Sequence, residues 1–134
     1  TYMGHPVAAA VALETLEIYQ ERDIMGHVAA IAPEMQRRLA SYSDHPLVGE
    51  VRGVGLVGAL EFVKNKETKE PFEPLGKVGA YLVDRAKDHG LILRNIADSV
   101  AFSPPLIISA KELDSVFERF EQALEETSAF AAGL

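Results

Sequence analysis

The segment spanning residues 47–63 constrains the fold of this chain more than any other. It is rich in β-branched residues, and Gly53 and Gly55 lie between two extended runs. Two extended runs joined by a short turn that contains glycine are typical of a β-hairpin. The sequence therefore predicts two strands that meet at or near these glycines.

The same glycines, together with Gly58, have the spacing of a dinucleotide-binding fingerprint. That fingerprint needs a helix that opens at its last glycine, because the helix N-terminus holds the phosphates. Residues 56–63 instead continue with strand-forming residues. We therefore prefer the hairpin interpretation.

Two helices are predicted before the hairpin. The first covers residues 6–22, with Pro6 at its first position and an alanine-rich sequence behind it. Its first two turns are apolar on all sides, which is typical of a helix buried between layers or against another domain. The second helix follows Asp23 as its N-cap, and Pro33 predicts a kink or break near residues 29–32.

The second half of the chain predicts two further helices and two short strands. A loop at residues 64–74 precedes a helix over residues 75–89, with Gly90 as its stop signal. Strands are expected at residues 91–94 and 99–103, and the last helix opens on a capping box of Ser109 and Glu112. This order predicts an α+β fold, a mostly antiparallel sheet of three or four strands with helices packed on one face.

Composition excludes several functional classes. The 134 residues suit one domain with a core, and the net charge of −7 has no cluster of Lys and Arg, which argues against nucleic-acid binding. No apolar run approaches the roughly 20 residues that span a bilayer. Cysteine is absent, which removes disulfides and thiolate chemistry and agrees with a cytoplasmic location.

The polar residues offer no self-contained catalytic centre. The four histidines lack the spacing of metal ligands, so no metal site is expected. Ser103, His89 and Asp98 are the right types for a triad, but no nucleophile-elbow motif surrounds any serine. We therefore predict no catalytic residue within this chain.

Two residues are candidates for binding. Arg94 follows the apolar residues 91–93. In a structural role its side chain reaches water or pairs with Asp98. In a functional role its planar guanidinium binds a substrate carboxylate through two parallel hydrogen bonds. Thr1 lies beside a Gly-His-Pro turn, where its hydroxyl is either an ordinary terminal group or a donor to a phosphate.

Three motifs occur together in the same order as in one known family. They are Thr-Tyr-Met-Gly-His-Pro at residues 1–6, Gly-Glu-Val-Arg-Gly-Val-Gly-Leu at residues 49–56, and Leu-Ile-Leu-Arg at residues 91–94 followed by Phe-Ser-Pro-Pro-Leu-Ile-Ile at residues 102–108. Together they resemble the C-terminal part of class III aminotransferases, of the omega-aminotransferase type. The resemblance covers nearly the whole chain.

The resemblance implies a fold-type I enzyme that depends on pyridoxal 5'-phosphate and works as a homodimer. Residues 1–134 would be its C-terminal small domain, with residues 1–22 as a hinge-like helix that enters from a large domain. The family's threonine at Thr1 bonds the cofactor phosphate of the neighbouring subunit, and its arginine at Arg94 binds the substrate carboxylate. The Schiff-base lysine lies upstream of the Thr1 motif, so we expect the chain to be a fragment.

The implied reaction moves an amino group from an amine or omega-amino acid to a keto acid such as pyruvate. The six lysines of the chain all appear in solvated loops or on helix surfaces by pattern, whereas a Schiff-base lysine needs a lowered pKa. The fragment alone is therefore expected to be inactive. Alternatives are a related decarboxylase or aminomutase, or an α+β interaction domain without a cofactor.

Overall fold

The computed structural model describes residues 3–134, which form one four-stranded sheet and four α-helices. The helices are α1 (Pro6–Glu21), α2 (Ile24–Ser41), α3 (Lys77–Asp88) and α4 (Ala110–Ala131). The strands are β1 (Val48–Val54), β2 (Val57–Phe62), β3 (Arg94–Ile96) and β4 (Ser99–Phe102). A single 3-10 turn, Tyr42–Asp44, connects α2 to the sheet.

The sheet has the order β1-β2-β4-β3, and every neighbouring pair is antiparallel. The predicted hairpin is confirmed: Val54 pairs with Val57, and Gly55 has a φ of 60° in the turn between them. A positive φ costs glycine nothing, because it has no Cβ to clash with the backbone. The α+β class and the antiparallel sheet are therefore as predicted.

One face of the sheet is buried beneath α2, α3 and α4. Along β2 the buried residues alternate with partly exposed ones, and Leu60 and Phe62 point inward. Helix α4 contributes Leu113, Phe117, Phe120 and Leu124 to the core under this face. The opposite face of the sheet carries no helix from residues 3–134.

Local signals at the helix ends act as predicted. Asp23 caps α2 by accepting a hydrogen bond from the Gly26 N–H at 3.2 Å. Ser109 and Glu112 form a reciprocal capping box at the start of α4. Each signal satisfies main-chain donors that a helix start leaves without partners.

A kink or a break was predicted near residues 29–32; the break does not occur, because α2 continues through Pro33 to Ser41. Proline removes one backbone donor, but the turns on either side bury Ile31, Ala32, Met35 and Leu39 against the core. Burying one large apolar side chain contributes about 1.5–3 kcal/mol. The sum over these buried side chains therefore outweighs the roughly 3 kcal/mol cost of a proline inside a helix.

The strand predicted at residues 91–94 is also wrong in its bounds. Gly90 ends α3 with a φ of 76°, and the Leu91 N–H bonds back to the Ala86 carbonyl at 2.8 Å. This is the Schellman arrangement, which keeps Leu91 in the helix end. Pairing with β4 begins only at Arg94, so Arg94 opens β3 instead of closing a strand.

Helix α1 differs from the others because it has no buried residue. Pro6 occupies its first position, as predicted, and His5 caps the helix by accepting from the Ala8 N–H. Val7, Val11, Leu13 and Leu16 are each more than half exposed. Within residues 3–134, nothing covers this apolar surface.

Candidate functional site

Arg94 lies on the face of the sheet that no helix of residues 3–134 covers, which we call the open face. It stands at the end of one cross-strand row. In the register of the sheet, Arg94 faces Ala101 in β4, Ala101 faces Ala59 in β2, and Ala59 faces Arg52 in β1. Directly paired residues of an antiparallel sheet share a face. The row therefore has an arginine at each end and two small residues between them.

The two arginines differ in their partners. The Arg52 guanidinium lies 2.7 Å from a Glu61 oxygen and 3.5 Å from a Glu50 oxygen, and it donates to the Ser99 hydroxyl at 3.1 Å. The hydrogen bond that Arg52 donates to Glu61, together with the charges of both glutamates, raises the pKa of Arg52 above its ordinary value. Arg52 is thus a neutralised part of the sheet surface.

Arg94 is exposed and has no ion pair or side-chain hydrogen bond within residues 3–134. The pairing with Asp98 that the sequence allowed does not occur. Asp98 is buried, and its two carboxylate oxygens accept from the Gly76 N–H at 2.8 Å and the Gly79 N–H at 2.7 Å. The Arg94 guanidinium therefore has no donor engaged by another side chain among residues 3–134.

The surroundings of Arg94 on this face are apolar and small. Ala59 and Ala101 leave a shallow floor beside it, and Ile96, two residues along β3, is 63% exposed. Val54 and Val57 at the hairpin end are also exposed on this face. A free guanidinium beside an apolar floor can bind a small carboxylate that also carries an apolar group.

The other candidate, Thr1, lies outside the described residues. The histidines take structural roles: the His27 imidazole contacts the Ile108 carbonyl at 2.9 Å, and the His89 imidazole contacts Glu126 at 2.7 Å. Since Asp98 is also held elsewhere, the triad of residue types is not assembled. Residues 3–134 contain no group of three or more acidic or histidine side chains that could hold a metal.

None of the six lysines is buried; five are exposed and Lys66 is half-buried. A lysine that forms a Schiff base at neutral pH needs desolvation or a nearby cation to lower its pKa. The described residues thus contain an exposed arginine without an ion pair but no buried lysine. None of the helices in the same range is long and apolar enough to cross a bilayer.

A family model described as Aminotransferase class-III matches residues 1–124. The match covers most of the chain, including the hairpin and Arg94. The chain belongs to the class III aminotransferases.

Two curated members of the family illustrate the similarity. Gamma aminobutyrate transaminase 3, chloroplastic, from Solanum lycopersicum is 45% identical over 95% of this chain. Putrescine--pyruvate aminotransferase from Pseudomonas aeruginosa is 47% identical over 96% of it. The chain spans only 24% and 28% of the length of these two relatives.

A solved omega transaminase shares the fold of this chain. The omega transaminase from Pseudomonas jessenii, crystallised in complex with PMP, superimposes with a TM-score of 0.90 at 44% identity. This match covers 96% of the chain and 28% of that enzyme. The α+β unit described above thus corresponds to about a quarter of that fold-type I enzyme.

Pattern reasoning missed the role of Asp98 in this class III chain. The sequence suggested Asp98 only as a partner for Arg94, four residues earlier, or as a member of a triad. Its partners Gly76 and Gly79 lie 22 and 19 residues away. The available signal was Gly79, a glycine inside a helix that is unfavourable there unless close packing requires it.

Proposed function

We propose that the full-length protein is a pyridoxal-phosphate-dependent transaminase and that this chain is its C-terminal domain. It transfers an amino group from an amine or omega-amino acid to a keto acid such as pyruvate. The observation that supports this most is Arg94, an exposed arginine without a partner in residues 3–134, in a chain of the class III family.

Arg94 binds the carboxylate of the keto acid in this proposal. Its guanidinium can donate two parallel hydrogen bonds, which fix both the distance and the plane of a carboxylate. Ala59 and Ala101 beside it leave space for the rest of a small substrate. Because Arg94 has no competing carboxylate among the described residues, binding does not have to break an existing ion pair.

The substrate class agrees with the names of the relatives. One is a gamma aminobutyrate transaminase, and the other acts on putrescine and pyruvate. Their amino donors carry the reacting amine at a chain end, and one of the two donors has no carboxylate. We propose the same breadth here, with Arg94 needed for acids and not for simple amines.

When bound, pyridoxal phosphate supplies the electron sink of the reaction. Residues 3–134 do not hold it alone, since none of their lysines is buried. In our proposal its lysine belongs to the preceding part of the protein, and Thr1 donates to its phosphate across a homodimer. The purified 134-residue chain should therefore be inactive; transamination by this chain would contradict the proposal.

We propose that the hinge-like helix, residues 1–22, packs on the large domain of the enzyme. The support is the uncovered apolar surface of α1, in a chain that covers about a quarter of its relatives' length.

We propose a cytoplasmic location and no nucleic-acid or membrane partner, from the net charge of −7 and the absence of cysteine. The small molecules that it binds are the amine and the keto acid.

The test is Arg94→Ala in the full-length enzyme, with the two half-reactions measured separately. Losing a charge-assisted bidentate contact costs about 1.5–3 kcal/mol, so the KM for pyruvate should rise by about 10-fold to 100-fold. The half-reaction with an amine that lacks a carboxylate should change by less than about twofold. Arg94→Lys should recover only part of the loss, because an ammonium cannot form the planar fork.

Arg37→Ala is the matched control. Arg37 is an exposed arginine on α2 that pairs with Glu34 within its own helix. Arg37→Ala removes the same positive charge at a position away from the open face. The kinetic constants of both half-reactions should therefore be unchanged. A KM for pyruvate that is equal in Arg94→Ala and Arg37→Ala would overturn the role of Arg94.

A further inference from the structure

Asp98 joins the β3–β4 turn to the start of helix α3. Its side chain is only 3% exposed, and each carboxylate oxygen accepts one main-chain N–H, from Gly76 and from Gly79. These N–H groups belong to the first turn of α3, which has no side-chain cap from Gly76 itself. Asp98 therefore serves as a distant cap for this helix.

The main chain around Asp98 is held from two further sides. The Phe62 N–H of β2 donates to the Asp98 carbonyl at 3.0 Å. The turn also packs directly against α3. A Cβ added to Gly79 would lie 2.4 Å from the Ala97 carbonyl oxygen, so there is no room for a side chain between them. Three elements, α3, β2 and the β3–β4 turn, thus meet at one buried residue, α3 at its carboxylate and β2 at its main-chain carbonyl.

Arg94 depends on this turn for its position. Strand β3 has three residues, is an edge strand, and pairs only with β4. The turn that returns the chain to β4 contains Ala97, with a φ of 51°, which a residue with a Cβ rarely adopts without support. The Asn95 side chain donates to the Ala97 carbonyl at 3.0 Å and gives part of that support.

We propose that Asp98 is a positioning residue for Arg94. By fixing the β3–β4 turn on α3, it sets the register and direction of β3, so that the guanidinium is presented at the end of its row on the open face. This inference rests on the proposed function of Arg94 as the carboxylate-binding group. Asp98 is buried and does not contact the substrate, but through Arg94 it determines how tightly the keto acid is bound.

The test is Asp98→Asn in the full-length enzyme, with Asp84→Asn as the matched control. Asp84 is an exposed aspartate on the same helix α3, paired with Lys87. Asn keeps one acceptor but places an NH₂ group against a main-chain N–H. We expect the KM for pyruvate to rise by about threefold to tenfold, while kcat and the half-reaction with a carboxylate-free amine stay within about twofold.

A double-mutant cycle separates positioning from general stability. If Asp98 acts through Arg94, then Asp98→Asn should change the KM for pyruvate by less than about twofold in an Arg94→Ala background. An effect that persists in that background would overturn the inference. Equal losses in both half-reactions would also overturn it, because a merely structural role affects both.

The outcomes distinguish the inference from the proposed function. If Arg94→Ala leaves the KM for pyruvate unchanged, the proposed function fails and the inference fails with it. If Arg94→Ala raises that KM and Asp98→Asn does not, only the inference fails. If Asp98→Asn does not fold, Asn95→Ala decides the question: it should raise the same KM by about twofold to threefold, and no change would overturn the inference.

Discussion

Arg52 and Arg94 occupy the two ends of one cross-strand row, with Ala59 and Ala101 between them. Glu61 and Glu50 neutralise Arg52, whereas Arg94 has no carboxylate partner within residues 3–134. The same residue type thus has two uses on one surface: Arg52 links three strands, and Arg94 remains available to an anion.

Arg94→Ala should change the stability of the 134-residue chain by no more than about 0.5 kcal/mol, because it removes no contact that folding requires. Arg52→Ala removes two exposed ion pairs and a hydrogen bond to Ser99, and it should cost up to about 1 kcal/mol. Urea unfolding of both variants measures these changes. A larger loss for Arg94→Ala than for Arg52→Ala would show that Arg94 has a structural partner after all.

Gly79→Ala should destabilise the chain although it lies in helix α3. Alanine improves helix propensity by about 1 kcal/mol, but its Cβ would lie 2.4 Å from the Ala97 carbonyl oxygen and 2.9 Å from the Asp98 Cα. Both atoms belong to the backbone and cannot rotate away, and such overpacking costs about 1–3 kcal/mol or more. We expect a net loss in the free energy of unfolding, measured in urea.

Gly55→Ala is the comparison for Gly79→Ala. Gly55 has a φ of 60° and open space where a Cβ would be placed. Gly55→Ala should therefore lower the free energy of unfolding by about 1–2 kcal/mol from backbone strain alone. The β3–β4 turn should be unchanged in this variant. Hydrogen exchange at the Gly76 amide separates the two variants, since only Gly79→Ala should accelerate it. Equal exchange rates would argue against the close packing of α3 on the turn.

His45 should make the stability of the chain depend on pH. Burial, and then the nearby Lys66 ammonium, lower the pKa of His45 below its ordinary value of 6.5. Its Nδ1 accepts from the Leu47 N–H at 3.2 Å, so the folded state favours the neutral ring. The unfolded chain then binds more protons, and this contribution is complete above about pH 6.5 and is lost as the pH falls below that value.

Urea unfolding of the wild-type chain and of His45→Gln at pH 8, 6.5 and 5 measures this contribution. The stability advantage of the wild type over His45→Gln should shrink as the pH falls, because other titrating groups are common to both proteins. A difference that stays constant from pH 8 to pH 5 would contradict a lowered pKa for His45.

Local interactions explain the parts of the fold that the sequence predicted. The hairpin turn at Gly55, the cap of Asp23 on Gly26 and the capping box of Ser109 and Glu112 each join residues no more than three positions apart. Such features need no knowledge of what lies across the core, so residue type and spacing were sufficient.

The errors arose where a local rule competed with packing or with another local rule. Pro33 costs one helical hydrogen bond, but the buried residues around it hold α2 together. Residues 91–93 are apolar and resemble a strand, yet the left-handed Gly90 directs the Leu91 N–H back to Ala86. The strand therefore begins three residues later than the apolar pattern indicated.

The sequence by itself determined the order of the elements, the antiparallel hairpin and the choice of Arg94 as a binding candidate, because these depend on neighbouring residues. Only the tertiary structure decided that Arg94 has no partner among residues 3–134 and that Asp98 caps α3 instead. The physical reason is distance along the chain: Asp98 meets Gly76 and Gly79 across 22 and 19 residues. A carboxylate near an arginine in sequence can be claimed by main-chain donors that only folding brings within reach.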